Sequence, residues 1–125
     1  MSDRTQLADR TQLAPIIANR RLLCAELRSD RHKQITCTIG NWRNPAASVC
    51  FLGLAFRTFP PVSPNDYDEQ NLYHLCVHLG LSPNNIKHLI EANDLELPFH
   101  KLADQLEAAP IKMPSPLDRW PPNLF

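Results

Sequence analysis

Proline constrains this chain more than any other residue. It carries twelve, each fixing φ and removing a backbone donor, so none is at home inside a long helix or a central strand. Pro15, Pro45, the group Pro60, Pro61 and Pro64, then Pro83, Pro98 and Pro110 divide the sequence into short stretches. Pro110, Pro114, Pro116, Pro121 and Pro122 crowd the end of the chain and predict an extended tail. Such a chain folds by packing short pieces, not by building one long helix or a wide sheet.

Pro15 suits the first turn of a helix. After it, Ile16, Ile17, Leu23, Cys24 and Leu27 recur at spacings of three and four and predict an amphipathic helix to about Arg28, with Arg20 at the margin of its apolar face. From Lys33 to Ile39, Ile35, Cys37 and Ile39 alternate with Gln34, Thr36 and Thr38, which predicts a half-buried strand. Gly40, Asn41, Asn44 and Pro45 supply turn chemistry. The apolar block Ala46 to Phe59 reads as a helix on its Ala and Leu content, with Ser48 as its cap. Asp66 with Glu69 resembles a capping box that opens a helix containing Leu72, Leu75, Cys76 and Leu79, closed by Gly80. Ser82 and Pro83 start another over Asn84 to Ala92, with Ile86, Leu89 and Ile90 inward. A last helix follows Pro98 and buries Phe99, Leu102, Ala103 and Leu106. The expected fold class is α+β: a mainly helical small single domain of four or five helices with one short strand or β-hairpin beside them.

A chain of 125 residues is large enough to bury one core without staples. DRTQLA at 3–8 repeats at once as 9–14, a local duplication too short to be a solenoid unit. The expected division is a duplicated N-terminal segment over 1–14, a globular domain over 15–109 and a proline-rich tail over 110–125. Thirteen basic and thirteen acidic residues cancel, which removes the broad positive field of a non-specific nucleic-acid binder. Arg20, Arg21, Arg28, Arg31 and Lys33 still form a local basic strip, the one feature in favour of nucleic acid. The N-terminal stretch has no apolar run of signal-peptide type, and no span approaches the ~20 apolar residues of a membrane helix. A cytoplasmic protein with no membrane partner is expected. Cys24, Cys37, Cys50 and Cys76 are widely spaced and would remain thiols in a reducing compartment.

Several groupings raise the question of chemistry. His74 and His78 lie four apart around Cys76 and could offer two metal ligands, yet no second pair at ligand spacing follows, so no metal and no cofactor is expected. Cys50 near a helix start, with a histidine and Asn93 or Asp94, could form a nucleophile, a base and an orienting group; alternatively Cys50 is core and the Asn93-Asp94 pair shapes a turn. Three glycines, Gly40, Gly53 and Gly80, leave no phosphate-cradling loop. Gln34, Thr36 and Trp42 could line a small-molecule cleft with Asn93 and Asp94. Arg28, Arg31 and Lys33, together with Trp120 and Phe125 of the stiff tail, are the candidates for contact with a partner.

Leu22 to Ile39 (LLCAELRSDRHKQITCTI), Val49 to Phe56 (VCFLGLAF) and Leu89 to Glu107 (LIEANDLELPFHKLADQLE) together resemble a family of short, functionally uncharacterised proteins common in tailed bacteriophages and bacteria. That family carries an LRSG stretch followed by Gln, a CCLG block and a late NDxxxxSFxxIADxIE segment. Leu27, Arg28, Ser29 and Gln34 match the first; Cys50, Leu52 and Gly53 the second; Asn93, Asp94, Phe99, Ala103, Asp104 and Glu107 the third. Asp30 stands where the family has glycine, and Phe51 follows Cys50 where it has a second cysteine. The resemblance implies a phage or mobile-element setting and brings no activity with it. The function it suggests is an accessory protein that binds a host protein or a small ligand, one form being antagonism of a host defence system. A small enzyme using Cys50 or the Asn93-Asp94 corner, and nucleic-acid binding through the Arg20 to Lys33 strip, are the alternatives.

Overall fold

A helix that is apolar on every side has to be enclosed. That is the position of the block around Gly53: Phe51, Leu52, Gly53, Leu54, Ala55 and Phe56 are all buried. The computed structural model describes residues 10–66 and 68–114; most of the duplicated segment, and the part of the tail from 115 on with Trp120 and Phe125, lie outside them. Five helices run in the order α1 (Arg10–Arg28), α2 (Phe51–Thr58), α3 (Glu69–Leu79), α4 (Pro83–Asp94) and α5 (Phe99–Ala108). Helix α1 packs against α5, α3 and α2, and α4 packs against α2, α3 and α5, so the short α2 is held chiefly between α1 and α4. The same core takes Leu23 and Leu27 from α1, Leu72, Leu75 and Leu79 from α3, Ile86 from α4 and Leu102 from α5, all buried.

The fold is all-α, not α+β. The alternating segment 33–39 forms no strand. Its only pairings among the described residues are two isolated bridges, Gln34 in parallel and Gly40 antiparallel, and both fall on Val49. A ladder needs successive residues to advance along a partner, and here the chain wraps one residue and returns. The reversal occurs at Cys37, which takes φ +63°. Of the expected inward residues Ile39 is buried but Cys37 is exposed. Gly53 stands under this loop, where a Cβ would lie 2.4 Å from the Ile39 carbonyl oxygen and 2.9 Å from the Val49 Cβ.

The caps follow the sequence reading in part. Ser82 accepts from the Asn85 N–H and Pro83 opens α4, while Gly80 closes α3 in the left-handed conformation. Asp68, not Asp66, caps α3 by accepting from the Gln70 N–H. Helix α2 starts at Phe51, later than the Ala46 start expected, and Ser48 does not cap it. Helix α1 begins at Arg10, so Pro15 lies inside it and not in its first turn. Ile17, expected inward, is 39% exposed.

Three polar side chains hold what a sheet would otherwise hold. Arg20, expected at a margin, is 6% exposed. Its five donors reach the carbonyls of Leu79 (2.6 Å), Gly80 (3.0 Å), Leu106 (3.1 Å), Ala109 (2.6 Å) and Pro110 (3.3 Å). One guanidinium therefore satisfies carbonyls at the C-terminal ends of α3 and α5, where the helix dipoles favour a cation. Arg57 does the same for the loop before α2, donating to the carbonyls of Trp42 (2.9 Å), Asn44 (2.5 Å) and Ala47 (2.7 Å). Asn71 is the third: it accepts from the Ser63 N–H (2.8 Å) and donates to the carbonyls of Ser63 (3.1 Å) and Asn65 (2.8 Å), fixing the proline-rich loop ahead of α3.

Candidate functional site

A helix that starts without a capping side chain of its own leaves backbone N–H groups to be satisfied from elsewhere. Helices α2 and α5 both start this way, from Cys50 and Pro98. Asn93 and Gln34 supply the missing acceptors. Asn93 is completely buried, and its Oδ1 accepts from the Phe51 N–H (3.1 Å) at the head of α2. Gln34 Oε1 accepts from the Phe99 N–H (3.1 Å) at the head of α5. The two amides also bond each other, Gln34 Nε2 donating to Asn93 Oδ1 at 2.9 Å. Their remaining donors go to the Leu97 carbonyl (2.7 Å) and the Ile35 carbonyl (2.9 Å).

Of the expected ligand residues, Gln34 and Asn93 are thus brought together but satisfied by one another and by backbone. Asp94, next in sequence, accepts from the Cys37 N–H at 2.7 Å and holds the strained turn. It also borders a cavity of about 50 Å³ with Cys37, Thr38, Cys50 and Ile90. Thr36 is half-buried and Trp42 packs elsewhere; neither borders that cavity. The Trp42 ring meets Phe56 edge-on at 5.9 Å and carries the Arg43 guanidinium 4.2 Å above it. Its buried indole N–H has no acceptor among the described residues.

Cys50 is 4% exposed. Burial pushes its thiol up, partly offset by the backbone N–H groups of Gly53 and Leu52, and the Asp94 carboxylate pushes it the same way as burial. A thiol kept neutral is a poor nucleophile, and the helix start expected to activate it does not outweigh desolvation. Cys24 is more extreme, pushed up to about 11 by burial, with its sulfur 3.6 Å from the Ala103 carbonyl.

The basic strip is largely neutralised. Arg28 reaches across to α5, bonding Asp104 at 2.9 Å and pairing with Glu107. Arg31 pairs with Glu26 at 2.7 Å, Arg20 is buried in the core, and Arg21 and Lys33 are exposed. Glu26 also binds His32, whose Nε2 lies 2.6 Å from Glu26 Oε1. Since Arg57 Nη1, a donor only, lies 3.0 Å from His32 Nδ1, the ring proton sits on Nε2 and faces Glu26. On α3 the His78 ring stacks on Phe59 at 5.3 Å; desolvation there, and the neighbouring His74, hold it below the usual imidazole range. Among the described residues no group of three His, Cys, Asp or Glu side chains is placed to hold a metal ion, and no helix is long and apolar enough to cross a membrane.

The sequence reading missed the roles of Arg20 and Arg57. The signal for Arg20 was present, since it stands four residues after Ile16 and three before Leu23, in register with the buried face. Comparison of the chain with known protein families, with curated proteins and with solved structures finds no match.

Proposed function

We propose that this protein acts by binding and not by catalysis: an accessory protein of phage or mobile-element type that occupies a host protein in the cytoplasm, antagonism of a defence system being one form of that role. The setting rests on the family resemblance. The binding role is carried by one observation: the polar groups that a catalyst would use, on Gln34 and Asn93, are committed to each other and to backbone. The residues that carry the resemblance meet one another in the same sense, Gln34 with Asn93 and Phe99, and Arg28 with Asp104 and Glu107. They read as determinants of the fold.

Size favours a protein partner over a small ligand. The cavity beside Asp94 is about 50 Å³, against roughly 300–1,000 Å³ for sites that enclose metabolites. Two surface depressions, one between Arg28 and His100 and one between His88 and Gln105, reach about 220 and 270 Å³ and are open. The pairing of Arg28 and Arg31 with carboxylates weighs against nucleic acid. The test is affinity purification of tagged protein from its host, with co-eluting proteins and released small molecules both analysed. A stoichiometric protein partner is expected; a released metabolite with no protein would replace this reading with ligand sequestration.

A further inference from the structure

Two of the cysteines meet at one cavity. Cys37 and Cys50 both border the space beside Asp94, and the chain path sets their segments side by side, since the Cys50 N–H donates to the Ile39 carbonyl at 3.1 Å. The pair is asymmetric: Cys37 is exposed, and Cys50 is buried at the head of α2. Cys24 and Cys76 are buried away from this cavity. Cys37 also stands in the left-handed region at φ +63°, a conformation that non-glycine residues adopt at a cost and that clusters at functional sites. Asp94 holds it there by accepting from its backbone N–H at 2.7 Å. An exposed cysteine and a buried one lining the same cavity have the asymmetry of an attacking and a resolving cysteine.

We propose that Cys37 and Cys50 form a dithiol exchange site for low-molecular-weight disulfides of the glutathione type. The Cys37 thiolate attacks one sulfur of the small disulfide; that S–S bond breaks, and the departing thiolate takes up a proton. Cys50, neutral in the resting protein and therefore the slower of the two, then gives its proton to solvent and attacks the Cys37 sulfur held next to it; the mixed disulfide breaks, and the departing small thiolate takes up a proton as the second small thiol. Two protein thiols and one small disulfide give one protein disulfide and two small thiols. The protein is oxidised, the reagent is reduced, and no further acceptor is needed. The bridge ties the Cys37 turn to the start of α2 and closes the cavity between them. This inference is independent of the binding reading.

The test is to treat the reduced, full-length protein with glutathione disulfide without oxygen, block remaining thiols, and determine intact mass and a peptide map. The wild type is expected to lose two hydrogens, with the Cys37 and Cys50 peptides joined. Cys50→Ser is expected to stop at a stable glutathione adduct on Cys37, and Cys37→Ser to react at neither position. A wild type that keeps all its thiols, that accumulates the Cys37 adduct without closing, or that joins other cysteines overturns the proposal. Because the wild-type map decides the matter, a variant that fails to fold does not leave it open.

Discussion

Replacing Asn93 by alanine tests how far the fold depends on the buried amide pair. The side chain is fully buried and carries three hydrogen bonds, from Phe51 N–H, from Gln34 and to the Ile35 carbonyl. Gln34 keeps its bond to the Leu97 carbonyl. The Phe51 N–H, in a fully buried residue, and the Ile35 carbonyl, in a half-buried one, are left without partners. A buried group stranded in this way costs about 1–3 kcal/mol, so Asn93→Ala is expected to lose about 3–4 kcal/mol, a large share of the roughly 5–15 kcal/mol typical of a domain. Asp94→Ala removes one bond, to an exposed residue, and is expected to cost about 1 kcal/mol. Urea unfolding followed by circular dichroism separates the two, the Asn93→Ala midpoint falling by about 2 M at an ordinary slope. Equal losses in the two variants, or a loss below about 1 kcal/mol for Asn93→Ala, would refute the role assigned to the pair.

Other substitutions probe other joints. Arg20→Met strands carbonyls at the ends of both α3 and α5, and a loss of about 3 kcal/mol or more in urea unfolding is expected; Arg20→Lys, lacking the planar fork, is expected to recover only part of it. Gly53→Ala drives a methyl to 2.4 Å from the Ile39 carbonyl oxygen and is expected to cost about 1–3 kcal/mol, read as a fall in melting temperature. Acid should weaken the fold in two stages. Burial against Phe59 lowers the folded-state pKa of His78, so its contribution is fully present above the unfolded imidazole value, about 6.5, and declines as pH falls through it. Glu26, lowered by its bond to His32, and Asp104, lowered by Arg28, contribute above the unfolded carboxylate range, about 4, and lose that contribution as pH falls below it. Urea midpoints measured across this range should fall in both windows, and His78→Gln should flatten the first.

Part of the helical fold was legible in the sequence because several starts and stops had a local cause. Ser82 with Pro83, Gly80 and Pro98 act within one or two residues of themselves, and the apolar spacing of α3, α4 and α5 matches their buried faces. The segment 33–39 was misread because its alternation is real but its partner is a single residue: Val49 receives both bridges, and Asn93 and Asp94 take backbone groups a neighbouring strand would have taken. Sequence spacing carries no sign that an amide some sixty residues away will do this, since the Gln34 to Asn93 bond spans 59 positions. Gln34 and Asn93 do meet, but as acceptors for helix starts; Thr36 and Trp42 do not join them at the cavity. The basic strip looked open because charge on a helix face is visible in sequence, whereas its partners Asp104 and Glu107 come from α5.

The central claim is that this chain holds its partner through its surface and not through the Cys50 and Asn93-Asp94 corner. Its most direct test is recovery of a host protein on tagged wild type, on Cys50→Ser and Asp94→Asn, and on a double Arg31→Glu, Lys33→Glu variant, each shown by circular dichroism to be folded. The account predicts that a stoichiometric partner stays with the first three and is lost or reduced on the double variant. Turnover of a small molecule by the wild type that disappears in folded Cys50→Ser or Asp94→Asn, with no protein partner recovered, would contradict it.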